Sequence, residues 1–184
     1  MLKETLIDML LDEGIVKIKD KDEKPFTLKS GKKSRLFFDV KEASLNPNIL
    51  HVIITKVYEL EILQNYTKKD DKIGSVAIGG VPIATALSYK SRIPQIIIRP
   101  EEHKTGTESK IIGDCQGCNI LLIEDVTTSG GSLINAVNNM REHGGTCDEC
   151  IVMIDRQEGA EELCAQNDIA LHPILTKSDF GIEE

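Results

Sequence analysis

The chain has no tryptophan, and its other aromatic residues are four Phe and three Tyr in 184 positions. A core with so few rings must be built on Ile, Leu and Val, and an aromatic pair lying off that pattern becomes a candidate ligand contact. Positive charge is also scarce, with 22 Lys and Arg against 30 Asp and Glu, a net charge of −8. Binding to a nucleic-acid backbone needs clustered cations, so this balance argues against it, and an anionic substrate has to be met by a few local Lys, Arg or His side chains. No apolar run approaches membrane-spanning length, and the opening Met1-Leu-Lys-Glu-Thr-Leu lacks the apolar core of a signal peptide. A cytoplasmic protein without a membrane partner is expected. Solenoid-period repeats and low-complexity tracts are missing too.

The length suits one domain that buries an ordinary core without staples. Leu2, Leu6, Met9 and Leu10 fall at helical spacing, and Gly14 closes that first helix. Phe26 to Gly31 and Leu36 to Val40 read as two short strands around a turn at Gly31. A helix follows over Ile49 to Leu63, with a charged loop at Lys68 to Lys72. Strands at Ser75 to Ile78, Gln95 to Arg99, Ile120 to Ile123 and Ile151 to Ile154 then alternate with helices after Pro82 and over Leu133 to His143. A polar loop covers Pro100 to Gly117. This alternation implies parallel βαβ units, hence an α/β, doubly wound parallel sheet. The small N-terminal addition spans about residues 1–45 and the core about 46–184 of a single domain.

The segment Ile120-Leu-Leu-Ile-Glu-Asp-Val-Thr-Thr-Ser-Gly-Gly-Ser132 carries the most chemistry. Its apolar start suits a strand covered on both faces, and Glu124 and Asp125 then stand at the carboxyl end, where open α/β sheets bind ligands. Thr127, Thr128, Ser129, Gly130 and Gly131 offer hydroxyls and approachable N–H groups at a helix N-terminus, which favours a phosphate dianion. A phosphate repels carboxylates, so the acid pair reads as acceptors for two sugar hydroxyls. The whole describes a pocket for a phosphorylated sugar.

This segment resembles the 5-phosphoribosyl 1-diphosphate (PRPP) motif of type I phosphoribosyltransferases. Beyond it, nearly the whole chain is similar to orotate phosphoribosyltransferases. Phe26-Thr-Leu-Lys-Ser-Gly-Lys-Lys-Ser-Arg-Leu-Phe-Phe-Asp39 resembles that family's hood, in which Lys29 and the Phe37-Phe38 pair would contact the orotate ring. On chemistry alone, Lys29 offers a charge to an anionic base, while Phe37 and Phe38 either wall a flat ring or fill a core. Ile154-Asp-Arg-Gln-Glu-Gly159 matches an Asp-Arg-x-x-Gly signature, so the resemblance gives Arg156 to the orotate carboxylate, a task suited to its planar fork, and Thr128 to the same base. Ala77-Ile-Gly-Gly-Val-Pro-Ile-Ala84 resembles the pyrophosphate-binding turn, where Gly79 and Gly80 let backbone come close.

The activity implied is displacement of pyrophosphate from C1′ of PRPP by N1 of orotate. The PRPP-binding set would be Arg99, His103, Lys104, Gly79, Gly80 and Glu124-Asp125-Val126-Thr127-Thr128-Ser129-Gly130-Gly131-Ser132. Lys104, His103 and Asp125 are the candidates for catalytic roles. Mg²⁺ would be held largely through substrate oxygens. The resemblance further implies a homodimer whose loop from Pro100 to Gly113 reaches the partner's site. That loop departs from the family: where Arg-Lys-x-x-Lys-x-His-Gly is usual, this chain has Arg99-Pro-Glu-Glu-His-Lys-Thr-Gly106. Pro100, His103 and Thr105 stand where two lysines and a histidine are usual, and Lys104 lies one position out of step. Two other readings stay open at this stage, a transferase for another nucleobase and a non-catalytic PRPP- or nucleotide-binding protein on the same fold.

Four of five cysteines form two pairs, Cys115-Gln-Gly-Cys118 and Cys147-Asp-Glu-Cys150, each close before a core strand. Neighbouring parallel strands begin at one edge, so the pairs are expected to meet below the sheet as a structural Cys₄ Zn²⁺ site. Independent apolar cysteines are the alternative, and a reducing compartment disfavours disulfides. Cys164 reads as core, and His51, His143 and His172 as surface or internally satisfied residues.

Overall fold

The computed structural model of the chain describes residues 2–27, 33–99 and 110–181. In chain order its elements are α1 (Leu2–Asp12), β1 (Val16–Ile18), β2 (Phe26–Thr27), β3 (Lys33–Ser34), β4 (Leu36–Phe38), α2 (Val40–Ala43), α3 (Pro47–Glu59), β5 (Asp71–Val76), α4 (Gly80–Ser91), β6 (Gln95–Ile98), β7 (Ile111–Ile112), β8 (Asn119–Thr127), α5 (Gly131–Glu142), β9 (Thr146–Asp155), α6 (Ala160–Ala165) and β10 (Ala170–Thr176). Single 3₁₀ turns cover Ile62–Asn65 and Lys177–Phe180.

Six strands form one sheet in the order β10-β9-β8-β5-β6-β7, parallel except for the antiparallel edge strand β7. The chain goes from β5 outward to β6 and then crosses back to β8, on β5's other side. Strand order therefore reverses between β5 and β8, and a crevice opens there at the carboxyl ends. Along β8 successive side chains enter opposite layers. Leu121 and Ile123 join the core formed with α1, α3 and α4, whereas Ile120 and Leu122 join the one formed with α5 and α6. Burial on both faces is why this strand reads as an uninterrupted apolar run.

Local signals set the helix ends. Asn46 caps α3 by accepting from the Asn48 and Ile49 N–H groups at 3.0 and 3.4 Å, with Pro47 at the first helical position. Burying Ile49, Ile53, Ile54 and Val57 on one face contributes roughly 1.5–3 kcal/mol per side chain, more than the cap's ~1 kcal/mol. Packing, then, holds α3, and the cap sets its register.

The expected doubly wound parallel sheet is present, with differences at its margins. α3 stops at Glu59, before the expected Leu63, and Glu61 takes a left-handed conformation (φ 57°). β5 begins at Asp71, inside the segment read as a charged loop. Ile111–Ile112 forms β7 within the expected polar loop, pairing with Ile97 and Ile98. Val16–Ile18, just past the first helix, pairs with β4 as β1. No helix among the described residues is long and apolar enough to cross a membrane.

Candidate active site

Three carboxyl ends build the site. β8 runs on through Glu124 and Asp125 to Thr127, which pairs with Asp155 of β9. The acids are thus inside the strand and inherit its rigidity, where the sequence placed them just past its end. Beside them, β5 leads into Ala77, Ile78 and Gly79 and then α4, with a cis peptide between Ala77 and Ile78. A Cβ on Gly79 would lie 1.9 Å from Asp125 Oδ2, and one on Gly80 would lie 2.5 Å from the Ile123 carbonyl oxygen. Only glycines allow this turn to press against the acid-bearing strand.

Past the acids, Thr127 to Ser132 curl around a cavity of about 180 Å³, also lined by Glu124 and Leu133. Gly130 has φ 82°, and a Cβ there would come within 3.2 Å of Ala160 Cα. It leads into α5, whose N-terminus has no side-chain cap. The first-turn N–H groups of this helix consequently face the cavity with their partial positive charge uncompensated, an arrangement suited to a phosphate.

Glu124 and Asp125 are each about 6% exposed. Burial, then the adjoining Asp125 carboxylate, pushes the Glu124 pKa well above the usual carboxylate range, and Lys41 opposes that shift. Glu124 Oε1 accepts from the Asp125 N–H at 3.1 Å. Asp125 Oδ2 is buried without a hydrogen-bond partner among the described residues. Two buried carboxylates with spare acceptor capacity suit vicinal hydroxyls, which donate without adding charge. Lys41 was missed by sequence reasoning. Its signal was a lone cation two residues past Asp39, on the short helix α2 that packs against β8.

Arg156 follows β9, and its N–H donates to the Thr127 carbonyl at 3.0 Å, which fastens it beside Thr128. Its Nη2 pairs with Glu158 Oε1 at 2.8 Å, while Nε is buried without a partner among the described residues. That leaves a buried guanidinium donor, Nε, for a further acceptor. Asp155 accepts from the Gln157 N–H at 2.9 Å, and burial raises its pKa.

The two phenylalanines diverge because adjacent strand residues face opposite ways. Phe38 packs against the main core and meets Phe180 edge-on at 5.4 Å between ring centroids. Of the two readings of the pair, it takes the core one. Phe37 turns the other way and lies 5.5 Å from Phe26. Arg99 stands at the end of β6, with its N–H bonded to the Lys110 carbonyl at 2.8 Å, so the base of the loop is a hairpin. Lys29, Pro100, His103, Lys104 and Thr105 lie outside the described residues.

The Zn²⁺ expectation for Cys115, Cys118, Cys147 and Cys150 is corrected. Among the described residues no three His, Cys, Asp or Glu side chains are grouped so as to hold a metal ion. Cys150 pairs in register with Leu122, four residues along β8 from Cys118. At ~3.3 Å per residue that is about 13 Å, whereas zinc thiolates share one centre at about 2.3 Å. The topology argument failed because Cys147 and Cys150 lie within β9 and not ahead of it. All five cysteines are free and buried, and the four pack into the core beneath α5. The Cys115, Cys118 and Cys147 thiols face backbone carbonyls, for example Cys118 to Gln116 at 3.6 Å and Cys147 to Glu149 at 3.6 Å.

The fold and this site define a phosphoribosyltransferase, and a model of the phosphoribosyl transferase domain matches residues 42–172. The orotate phosphoribosyltransferase of Methanopyrus kandleri is 36% identical over 98% of this chain and 92% of its own length. That of Methanocaldococcus jannaschii is 38% identical over 97% and 96%. The crystal structure of orotate phosphoribosyltransferase from Aeropyrum pernix aligns with a TM-score of 0.81 at 27% identity, covering 98% of this chain and 96% of that one. The chain belongs to the orotate phosphoribosyltransferase family.

Proposed function

We propose that the protein transfers the 5-phosphoribosyl group from PRPP to N1 of orotate, giving orotidine 5′-monophosphate and pyrophosphate, a step of pyrimidine nucleotide biosynthesis. The observation that carries this reading is the convergence, at the β5/β8 crevice, of a buried acid pair with an unsatisfied Asp125 oxygen, an uncapped helix N-terminus and a glycine turn. The 5′-phosphate is received by the Thr127 to Ser132 turn, and the ribose hydroxyls donate to Glu124 and Asp125. The leaving diphosphate lies along the Gly79-Gly80 turn, near Arg99.

Bond breaking at C1′ develops positive charge on the sugar and negative charge on the departing diphosphate, so catalysis is positioning and charge stabilisation. The buried acids fix the ribose from below and favour a cationic sugar ring. Asp125, with its free Oδ2, is also the nearest side chain to the glycine turn and fits a hard cation shared with substrate oxygens. Asp125 would hold Mg²⁺ there, and the ion would supply positive charge against that of the leaving diphosphate. Lys104 and His103 are proposed to meet the same diphosphate from the loop. A homodimer, with each loop serving the partner's site, is part of the proposal and rests on family resemblance alone. Chains disabled at Glu124 and Asp125, mixed with chains disabled in the loop, should then regain activity; subunits that exchange without complementing would contradict it. A cytoplasmic setting is in keeping with five free thiols.

The orphaned Nε supports Arg156 as the residue that holds the orotate carboxylate. Arg156→Ala is expected to raise the KM for orotate ~10-fold or more, with the KM for PRPP changed much less, since a charged hydrogen bond contributes about 1.5–3 kcal/mol. Equal effects on both substrates in initial-rate measurements would remove Arg156 from base recognition.

A further inference from the structure

A large cleft lies at the opposite edge of the sheet, where β5 and β6 begin and α3 and α4 end. It encloses about 680 Å³, within the range of small-molecule sites, and is lined by Lys68, Lys69, Lys90 and Arg92 together with Tyr58 and Ile93. Four cations in one cleft are unexpected in a chain of net charge −8. Among the described residues none of the four is ion-paired with a carboxylate. Of the two acids in the lining, Asp71 is 1% exposed and accepts from the Lys68 N–H and Asn119 Nδ2, and Glu61 is the other, so the four cations outnumber the acids two to one. The Lys90 ammonium lies 4.4 Å from the Tyr58 ring centroid, marking that ring as an electron-rich face at the cleft wall.

Backbone conformation points the same way. Arg92 ends α4 in the left-handed region at φ 65°, a position that glycine ordinarily fills without steric cost. Glu61, in the same cleft, is also left-handed at φ 57°. Helix-dipole compensation explains a cation in the last turn of α4, as at Lys90, but not an arginine held at a glycine position, nor Lys68 and Lys69 in the loop before β5. Strained non-glycine residues that persist together mark sites where the side chain is used.

We propose that this cleft is a second ligand site, for a nucleoside di- or triphosphate, its phosphates held by Lys68, Lys69 and Arg92 and its base laid on Tyr58. It is separate from the PRPP pocket: α4 runs from Gly80 at the crevice to Ser91 here, 12 residues or about 18 Å.

Calorimetric titration of the full-length protein with ATP and with UTP, at saturating PRPP so that the crevice is filled, tests this. The expected result is one further site per chain, weakened at least tenfold by Lys68→Ala/Lys69→Ala and by Arg92→Gly. Arg92→Gly relieves the left-handed backbone, so it should melt no lower than the parent, which separates loss of binding from loss of fold. Inorganic triphosphate should bind more weakly than either nucleotide, and Tyr58→Ala should abolish that difference. Absence of binding at saturating PRPP, binding unchanged by either cation variant, or equal affinity for triphosphate and nucleotide would overturn the proposal.

Discussion

At the scale of single residues, Glu124 and Asp125 show how burial gives a carboxylate its use. Both are almost inaccessible, yet among the described residues neither is ion-paired, and Asp125 keeps an empty acceptor. Were they structural, buried carboxylates would be expected to carry full hydrogen-bond sets. Glu124 titrates above its ordinary value near 4.5 because burial and the Asp125 carboxylate both disfavour its charge. The folded state therefore binds this proton more tightly than the unfolded chain. Its stabilising effect is complete below about pH 4.5 and is lost as pH rises through the elevated folded value. Melting of the ligand-free protein should accordingly decline over that window, and Glu124→Gln should flatten the decline. Parallel melting curves against pH for parent and variant would show that Glu124 is not held in this state.

Elements explain which features were legible in the sequence. β8 and its turn could be read because parallel central strands are apolar on both sides and because an acid pair followed by hydroxyls and glycines has little use elsewhere. β7 and β1 could not, since two- and three-residue strands carry no periodicity and exist only through their partners. Lys41 was hidden for the same reason: its proximity to Glu124 is tertiary, set by α2 packing on β8. The cysteine pairs misled because a register shift, with Asn119 opposite Thr146 but Leu121 opposite Glu149, inserts an extra residue into β9. That bulge turns Cys147 and Cys150, three apart, into the same apolar layer. Burial pushes the Cys147 thiol up to about 12, so it is an inert packing group. Chelators should leave the melting temperature unchanged. Cys150→Ser, which buries a hydroxyl among apolar neighbours, should cost about 1–3 kcal/mol in denaturant unfolding. A chelator-dependent fall in melting temperature would reinstate a metal.

For the whole molecule, the acidic surface and the anionic substrates are reconciled by local geometry. In the proposed function, phosphate would be met by helix N–H groups, sugar by buried acceptors, and base by one arginine with a buried spare donor, so a net charge of −8 would be no obstacle. The expectations for Lys29, His103 and Lys104, which fall outside the described residues, rest on resemblance, since nothing in a polar segment's composition says where its charges act. Base choice is the property on which everything assigned to Arg156, Thr128 and Phe37 depends. The most direct test follows orotate absorbance with PRPP and Mg²⁺, beside uracil, hypoxanthine and adenine at the same concentrations. Orotate should be consumed with stoichiometric release of pyrophosphate while the other three bases react at least ~100-fold more slowly, as expected when a site built around a charged contact meets bases that lack the carboxylate. Comparable turnover of any of the three, or no loss of orotate by a folded protein that binds PRPP, would contradict the account.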